Sequence, residues 1–182
     1  MKKLFFALAC FALPLVFTSC DDDSTVKEIV SDLTGSIKMT IGSQSQTFSV
    51  APAYQTDGKT IIASSTGSQH IAITLDGTTA KAYTLGFMSD LNITSILAGG
   101  LSTSNMSSTL TYSTGGTSDI YEVVAGTCTV SSYSSSKISG SFSGYAVKLS
   151  DLEGGLSLSI LTNAVKISGT FTAPLTNSLV SK

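Results

Sequence analysis

From Gly35 onward, apolar residues recur at every second position. Ile37, Met39 and Ile41 alternate with Lys38 and Thr40, and Phe48 with Val50, before Asp57-Gly58 introduces Lys59-Thr60-Ile61-Ile62. A period of two places successive side chains on opposite faces of a pleated strand, so these segments predict three strands. Ile71, Ile73 and Leu75 continue the pattern up to Asp76-Gly77, and Thr79 to Phe87 follows. Asp-Gly suits the two positive-φ positions of a type I′ turn, which predicts a tight hairpin at Asp76-Gly77. Further strands are expected at Thr109–Ser113, Ile120–Ser132, Lys137–Val147, Leu156–Leu161 and Ala164–Ala173, with a Gly115-Gly116 turn. Leu91 to Leu97 reads as a short helix or an irregular crossover ending at Gly99, and Leu101 to Ser108 as an exposed loop.

Even strand spacing without long helices predicts an all-β domain over residues 34–182. The expected architecture is an antiparallel two-sheet sandwich of about nine or ten strands, with a lipocalin-like barrel as the alternative. Two of the strands hold nearly the same hexapeptide, Lys137-Ile138-Ser139-Gly140-Ser141-Phe142 and Lys166-Ile167-Ser168-Gly169-Thr170-Phe171. In each, Ile, Gly and Phe share one face. A glycine between two apolar neighbours leaves room for an aromatic ring to lie across it, or permits a bulge.

The N-terminus follows different rules. Met1-Lys2-Lys3 precedes an apolar run from Leu4 to Phe17, then Thr18-Ser19-Cys20. That run is shorter than the roughly 20 residues needed to span a bilayer, which favours a cleaved leader over a membrane helix. Residues 1–19 are expected to be a lipoprotein signal peptide cut between Ser19 and Cys20, with Cys20 carrying the lipid; Phe17 stands where such signals commonly have Leu. Residues 20–33 then form an acidic tether. Within it Val26, Ile29, Val30 and Leu33 recur at helical spacing after Ser24, a candidate N-cap.

Composition narrows the chemistry. Ser contributes 32 residues and Thr 24, while only 12% of the chain is charged. Because the hydroxyls alternate with Ile, Val, Leu and Phe, they predict an ordered sheet with a hydroxyl-lined outer face rather than a disordered stalk. All ten basic residues are Lys. Without Arg there is no planar fork for phosphate or carboxylate, and removing Lys2 and Lys3 leaves a net charge near −4, so nucleic acid is excluded as a partner.

No catalytic, cofactor or metal constellation emerges. Cys128 is the only cysteine of the expected domain; sharing a parity with Val124 and Val130, it reads as a small buried hydrophobe. His70 is the only histidine, and it stands on the parity opposite Ile71 and Ile73, as an exposed strand residue would. Asp119 and Glu122, or Asp151 and Glu153, could pair with a distant partner as glycosidase carboxylates, yet they fall at strand edges and turns where solvated charge is normal. Six tyrosines, Tyr54, Tyr83, Tyr112, Tyr121, Tyr133 and Tyr145, could form a stacking surface for sugars or pack in the core and rim.

Cys20-Asp21-Asp22-Asp23 resembles the export signal of lipoproteins of the Bacteroidota type. The segments Gln46-Thr47-Phe48, Tyr83-Thr84-Leu85 and Gly126-Thr127-Cys128-Thr129-Val130, with the paired ISGSF and ISGTF strands, resemble a domain family of unknown function found in small surface lipoproteins of that group. The chain departs from that pattern in having no Trp and in its polar 101–108 segment. The resemblance implies a β-fold, a lipid anchor on Cys20 and an outer-membrane location facing outside, with no activity attached. Asp23-Ser24-Thr25 likewise resembles the O-glycosylation site of such bacteria, with Ser24 as acceptor. Asn92 and Asn105 lie in eukaryotic N-glycosylation patterns that a bacterial lipoprotein does not normally use. The expected function is a non-catalytic surface module that binds or supports macromolecules. Its alternatives are a carrier with a cavity for a small apolar ligand and a glycan-binding surface protein.

Overall fold

The computed structural model describes residues 35–86, 108–115, 119–152 and 158–176. Ten strands occur among them: β1 (Ser36–Ile41), β2 (Gln44–Phe48), β3 (Ala53–Thr56), β4 (Lys59–Thr66), β5 (Gln69–Leu75), β6 (Ala82–Gly86), β7 (Thr109–Ser113), β8 (Ile120–Tyr133), β9 (Lys137–Lys148) and β10 (Val165–Pro174). Two short helices, α1 (Leu149–Leu152) and α2 (Leu158–Thr162), lie between β9 and β10. The strands pair in the order β2-β1-β10-β9-β8-β7-β5-β4-β3, with β6 also on β8. The fold is therefore all-β and antiparallel as expected. Its strands join in one hydrogen-bonded sheet curled into a half-barrel, rather than in the two sheets of the expected sandwich. At the seam, Ala53 of β3 bridges Leu175 just beyond β10, and the Thr176 amide donates to the Ala53 carbonyl at 2.8 Å.

Alternation sets the two faces of this sheet. Ile37, Met39 and Ile41 of β1, Ile71, Ile73 and Leu75 of β5, and Ile167, Phe171 and Ala173 of β10 are buried in one concave core. The twin hexapeptides pair with each other on β9 and β10, in a register that puts Gly140 opposite Phe171 and Phe142 opposite Gly169. Each ring lies over the other strand's glycine. A Cβ at Gly169 would stand 2.5 Å from Phe142 Cζ, and one at Gly140 would stand 2.7 Å from Phe171 Cζ. The absent side chains are what let both rings lie flat, and each buried ring contributes on the order of 1.5–3 kcal/mol.

Register irregularities in β8 correct one parity assignment. Bulges fall between Val123 and Ala125 and between Val130 and Ser132, and each extra residue swaps inward for outward. Tyr121 and Val123 therefore pack on the same core as Cys128 and Val130, despite opposite parity. Val124 does not share the face of Cys128; it joins Val147 and Leu161 in a second cluster, packed by Leu152, Ile160 and Ala164. The expected strand at Leu156–Leu161 is a further correction, since Leu158–Thr162 is helical. A helical turn there lets Leu161 cover the outward Val124 and Val147, which a further sheet strand at that point would leave wet.

The tight turn is also elsewhere. Asp57 (φ 49°) and Gly58 (φ 74°) supply the two positive-φ positions, joining β3 to β4 with Thr56 opposite Lys59. Asp76-Gly77 makes no hairpin: β5 pairs with β4 and β7, and β6 pairs with β8. The chain there is held by two contacts across the fold and one within the segment. Thr60 Oγ1 donates to the Gly77 carbonyl at 2.7 Å, the Asp76 amide donates to Ser108 Oγ at 2.9 Å, and the Tyr83 hydroxyl donates to the Thr79 carbonyl at 2.7 Å. Ser108, expected in an exposed loop, is instead fully buried and bridges Leu85. The helix or crossover expected at Leu91–Leu97 and the amphipathic turn expected before Leu33 lie outside the described residues.

Candidate functional site

Filling the concave side with aliphatic and aromatic residues leaves the hydroxyls to the convex side. Pairing brings them into rows. Thr84, Thr127, Ser143, Ser168, Thr40 and Ser45 stand side by side across β6, β8, β9, β10, β1 and β2. Two residues along each strand, Thr129, Ser141, Thr170, Lys38 and Thr47 form a second row. Strand geometry spaces neighbours in a row by about 4.8 Å and the rows by about 6.7 Å. Between the rows, on β10, β1 and β2, runs an open groove of about 320 Å³ lined by Lys38, Thr40, Ser45, Thr47, Ser168 and Thr170. Thr40 Oγ1 and Ser45 Oγ are 3.2 Å apart.

Hydroxyls both donate and accept, so this face can make many neutral hydrogen bonds, each worth about 1 kcal/mol net. Apart from Lys38 the side chains lining the groove are uncharged, so most of the contacts it can offer are neutral hydrogen bonds. Sequence periodicity pointed to a hydroxyl-lined face. It carried no sign of the cross-strand alignment, because register depends on which strands meet.

At one end of the half-barrel a second, smaller cleft of about 210 Å³ opens between the β1–β2 turn and the start of β8, with Ile41, Gln44, Tyr112, Thr114, Tyr121 and Val165 in its wall. Tyr112 and Tyr121 stack there with centroids 6.4 Å apart and planes 28° apart. Lys148 Nζ lies 5.9 Å from the Tyr121 ring centre and 2.9 Å from Asp119 Oδ1. That bond to Lys148 holds the Asp119 carboxyl below its usual range. Burial pushes the Glu122 carboxyl up, partly offset by the hydrogen bond it accepts from Thr111 Oγ1 at 2.5 Å.

The remaining candidates are placed singly. Asp119 is paired with Lys148, and Glu122 is bonded by Thr111. Asp151 is exposed, and Glu153 lies outside the described residues. His70 is exposed on β5 with Nδ1 2.8 Å from Ser65 Oγ. Cys128 is buried and its thiol is pushed up to about 12 by desolvation, far from a thiolate nucleophile at neutral pH. The tyrosines do not form one platform: Tyr83 and Tyr112 are buried, Tyr54, Tyr121 and Tyr133 are half-buried, and Tyr145 is exposed.

Ser19, Cys20, Asp21, Asp22, Asp23, Ser24, Asn92 and Asn105 lie outside the described residues. Among the described residues no helix is long and apolar enough to cross a membrane, and no group of three or more His, Cys, Asp or Glu side chains could hold a metal ion. In comparisons with family models, curated proteins and solved structures, nothing matches this chain.

Proposed function

We propose that this chain is a non-catalytic lipoprotein of the outer membrane, anchored on the cell surface through a lipid on Cys20, whose convex β-face binds a neutral, hydroxyl-rich partner such as a surface glycan. One observation carries the reading: Ser and Thr side chains fall into register across six neighbouring strands, from Thr84 to Ser45. Core packing needs no such outward order. A concave side filled by Ile37, Phe48, Ile62, Ile73, Leu110 and Ile138 supports a surface module over a carrier with an interior chamber. Asp21 to Asp23 would direct export to the outer leaflet, and Ser24 would accept a glycan on the tether.

Two measurements test this. Cys20→Ala should abolish membrane partitioning of the full chain; retention in the membrane after leader removal would sink the anchoring idea. The full chain should co-sediment with an insoluble neutral glucan or mannan, and the double variant Thr40→Glu/Ser168→Glu should lose that binding while melting like the parent. Equal co-sedimentation of both forms, or none by the parent, overturns the outer-face reading.

A further inference from the structure

A half-barrel leaves two edge strands, and the two edges of this one differ. The β3 edge is covered: Ala53 bridges Leu175, the Thr176 amide donates to the Ala53 carbonyl at 2.8 Å, and Gln55 Nε2 donates to the Tyr133 hydroxyl at 2.7 Å. The β2 edge pairs only with β1, and no backbone bond from its outer side occurs among the described residues. Natural sheets blunt such an edge with charge, proline or a bulge. Gln44-Ser45-Gln46-Thr47-Phe48 carries no charge and no proline, and its register against β1 runs without a break.

The hairpin fixes which groups point out. Gly42-Ser43 is a two-residue loop between the paired Ile41 and Gln44, with Gly42 at φ 58° as the first central position of a type II′ turn requires. The pair flanking such a loop exchanges backbone bonds, and bonded and non-bonded pairs alternate from there. Ile41–Gln44, Met39–Gln46 and Ile37–Phe48 are therefore the bonded pairs. Ser45 and Thr47 turn their amide and carbonyl groups away from β1, to the open side. Both residues are exposed, and Gln46 between them is half-buried.

This spacing is self-complementary. Turned end for end about Gln46, the strand sets Ser45 opposite Thr47 of a second copy and Thr47 opposite its Ser45, so that each outward amide meets an outward carbonyl. Gln46 then faces Gln46 of the second copy, and a carboxamide both donates and accepts. No like charges are brought together in the pairing, since Lys38 lies one strand behind the edge. We propose that this edge is a dimer interface, at which β2 of two copies pair antiparallel about Gln46. The twofold consumes the open edge of both copies, so the assembly closes at two rather than growing into a fibre. An edge of five residues buries less than a standard interface, which makes the dimer a weak and reversible one. Pairing also joins the outer faces, because the row ending in Thr40 and Ser45 runs on into Thr47 and Lys38 of the second copy. The contact uses backbone groups and does not depend on what those faces bind.

Disulfide trapping tests the register, on the purified full chain and on intact cells expressing it. At the axis the two Gln46 positions form a non-bonded pair with Cα atoms about 4.5 Å apart, within disulfide reach, whereas the two Thr47 positions lie on a diagonal of about 7–8 Å. Under mild oxidation Gln46→Cys should give about tenfold more cross-linked dimer than Thr47→Cys or the parent, which hold the same other cysteines. Thr47→Pro removes only an outward amide, so it should melt like the parent, and adding it to Gln46→Cys should return cross-linking to the parent's level. The proposal is overturned if Gln46→Cys cross-links no more than Thr47→Cys, or if the dimer survives Thr47→Pro. A lowered midpoint for Thr47→Pro also overturns it, because the Thr47 amide would then bond β1. Trapping of other proteins by Gln46→Cys in cells, with no dimer, overturns it in favour of strand addition by a foreign partner.

Discussion

Strands β9 and β10 carry two opposite chemistries on the same backbone. Their inward side chains, Ile138, Phe142, Ile167 and Phe171, are at most 3% exposed. Their outward ones, Ser141, Ser143 and Thr170, are exposed, with Ser168 half-buried. The inward set interlocks through the Gly140–Phe171 and Phe142–Gly169 pairs, whereas the outward set touches water and stands in rows. Stability is thus carried by one face of the sheet, and the proposed recognition falls to the other. Outward residues can vary at little cost to the fold, and inward ones cannot.

Substitutions on the two faces should separate cleanly in denaturant melts. Phe171→Ala is expected to cost the most, about 3–5 kcal/mol, because it removes a buried ring and uncovers Gly140. Gly169→Val should cost about 1–3 kcal/mol, since its Cβ meets the Phe142 ring and the Lys38 carbonyl. A loss below about 0.5 kcal/mol for either would break the division of labour.

Glu122 sharpens the comparison from the other side, as a half-buried carboxyl on the outward parity of β8. Its folded-state pKa is raised, mainly by desolvation, so the folded chain binds a proton more readily than the unfolded chain between the ordinary Glu value and the raised one. Stability should fall as pH rises through that window and stay lower above it. Glu122→Gln should remove this slope and stabilise the protein at pH 7 by less than the glycine change destabilises it. Parallel pH–stability curves for the parent and the variant would refute the assignment. Ser168→Ala and Thr170→Ala, at the bottom of the scale, should each shift stability by about 0.5 kcal/mol or less. If they prove the damaging changes, the strand faces have been assigned backwards.

Much of the division was legible in the sequence. The period of two in Ile37-Lys38-Met39-Thr40-Ile41 sorts inward from outward, and the glycines of the twin hexapeptides announced rings lying across them. These are local properties, fixed by the pleat whichever strand comes to lie alongside. The candidate sites were less legible. The hydroxyl rows required the register of six strands, and the cleft beside Tyr112 and Tyr121 required β1, β7, β8 and β10 to meet at one end of the half-barrel.

Two Asp-Gly pairs mark the boundary between what sequence and tertiary structure decide. Sequence alone determined that this chain is β-rich, which residues alternate, and that its hydroxyls line a surface. It favoured the hairpin at Asp76-Gly77, but the two positive-φ residues of a tight turn occur at Asp57-Gly58. Both dipeptides can adopt the turn; Asp76-Gly77 is drawn instead into hydrogen bonds with Ser108 and Thr60, residues far away in the chain. The outward turn of Val124 and the helix at Leu158–Thr162 were settled in the same way, by an apolar patch that needed a cover. Backbone alternation is an intrinsic geometry and shows in the letters. Strand pairing uses the same amide and carbonyl groups at every residue, so only the mutual burial of distant side chains selects which strands meet.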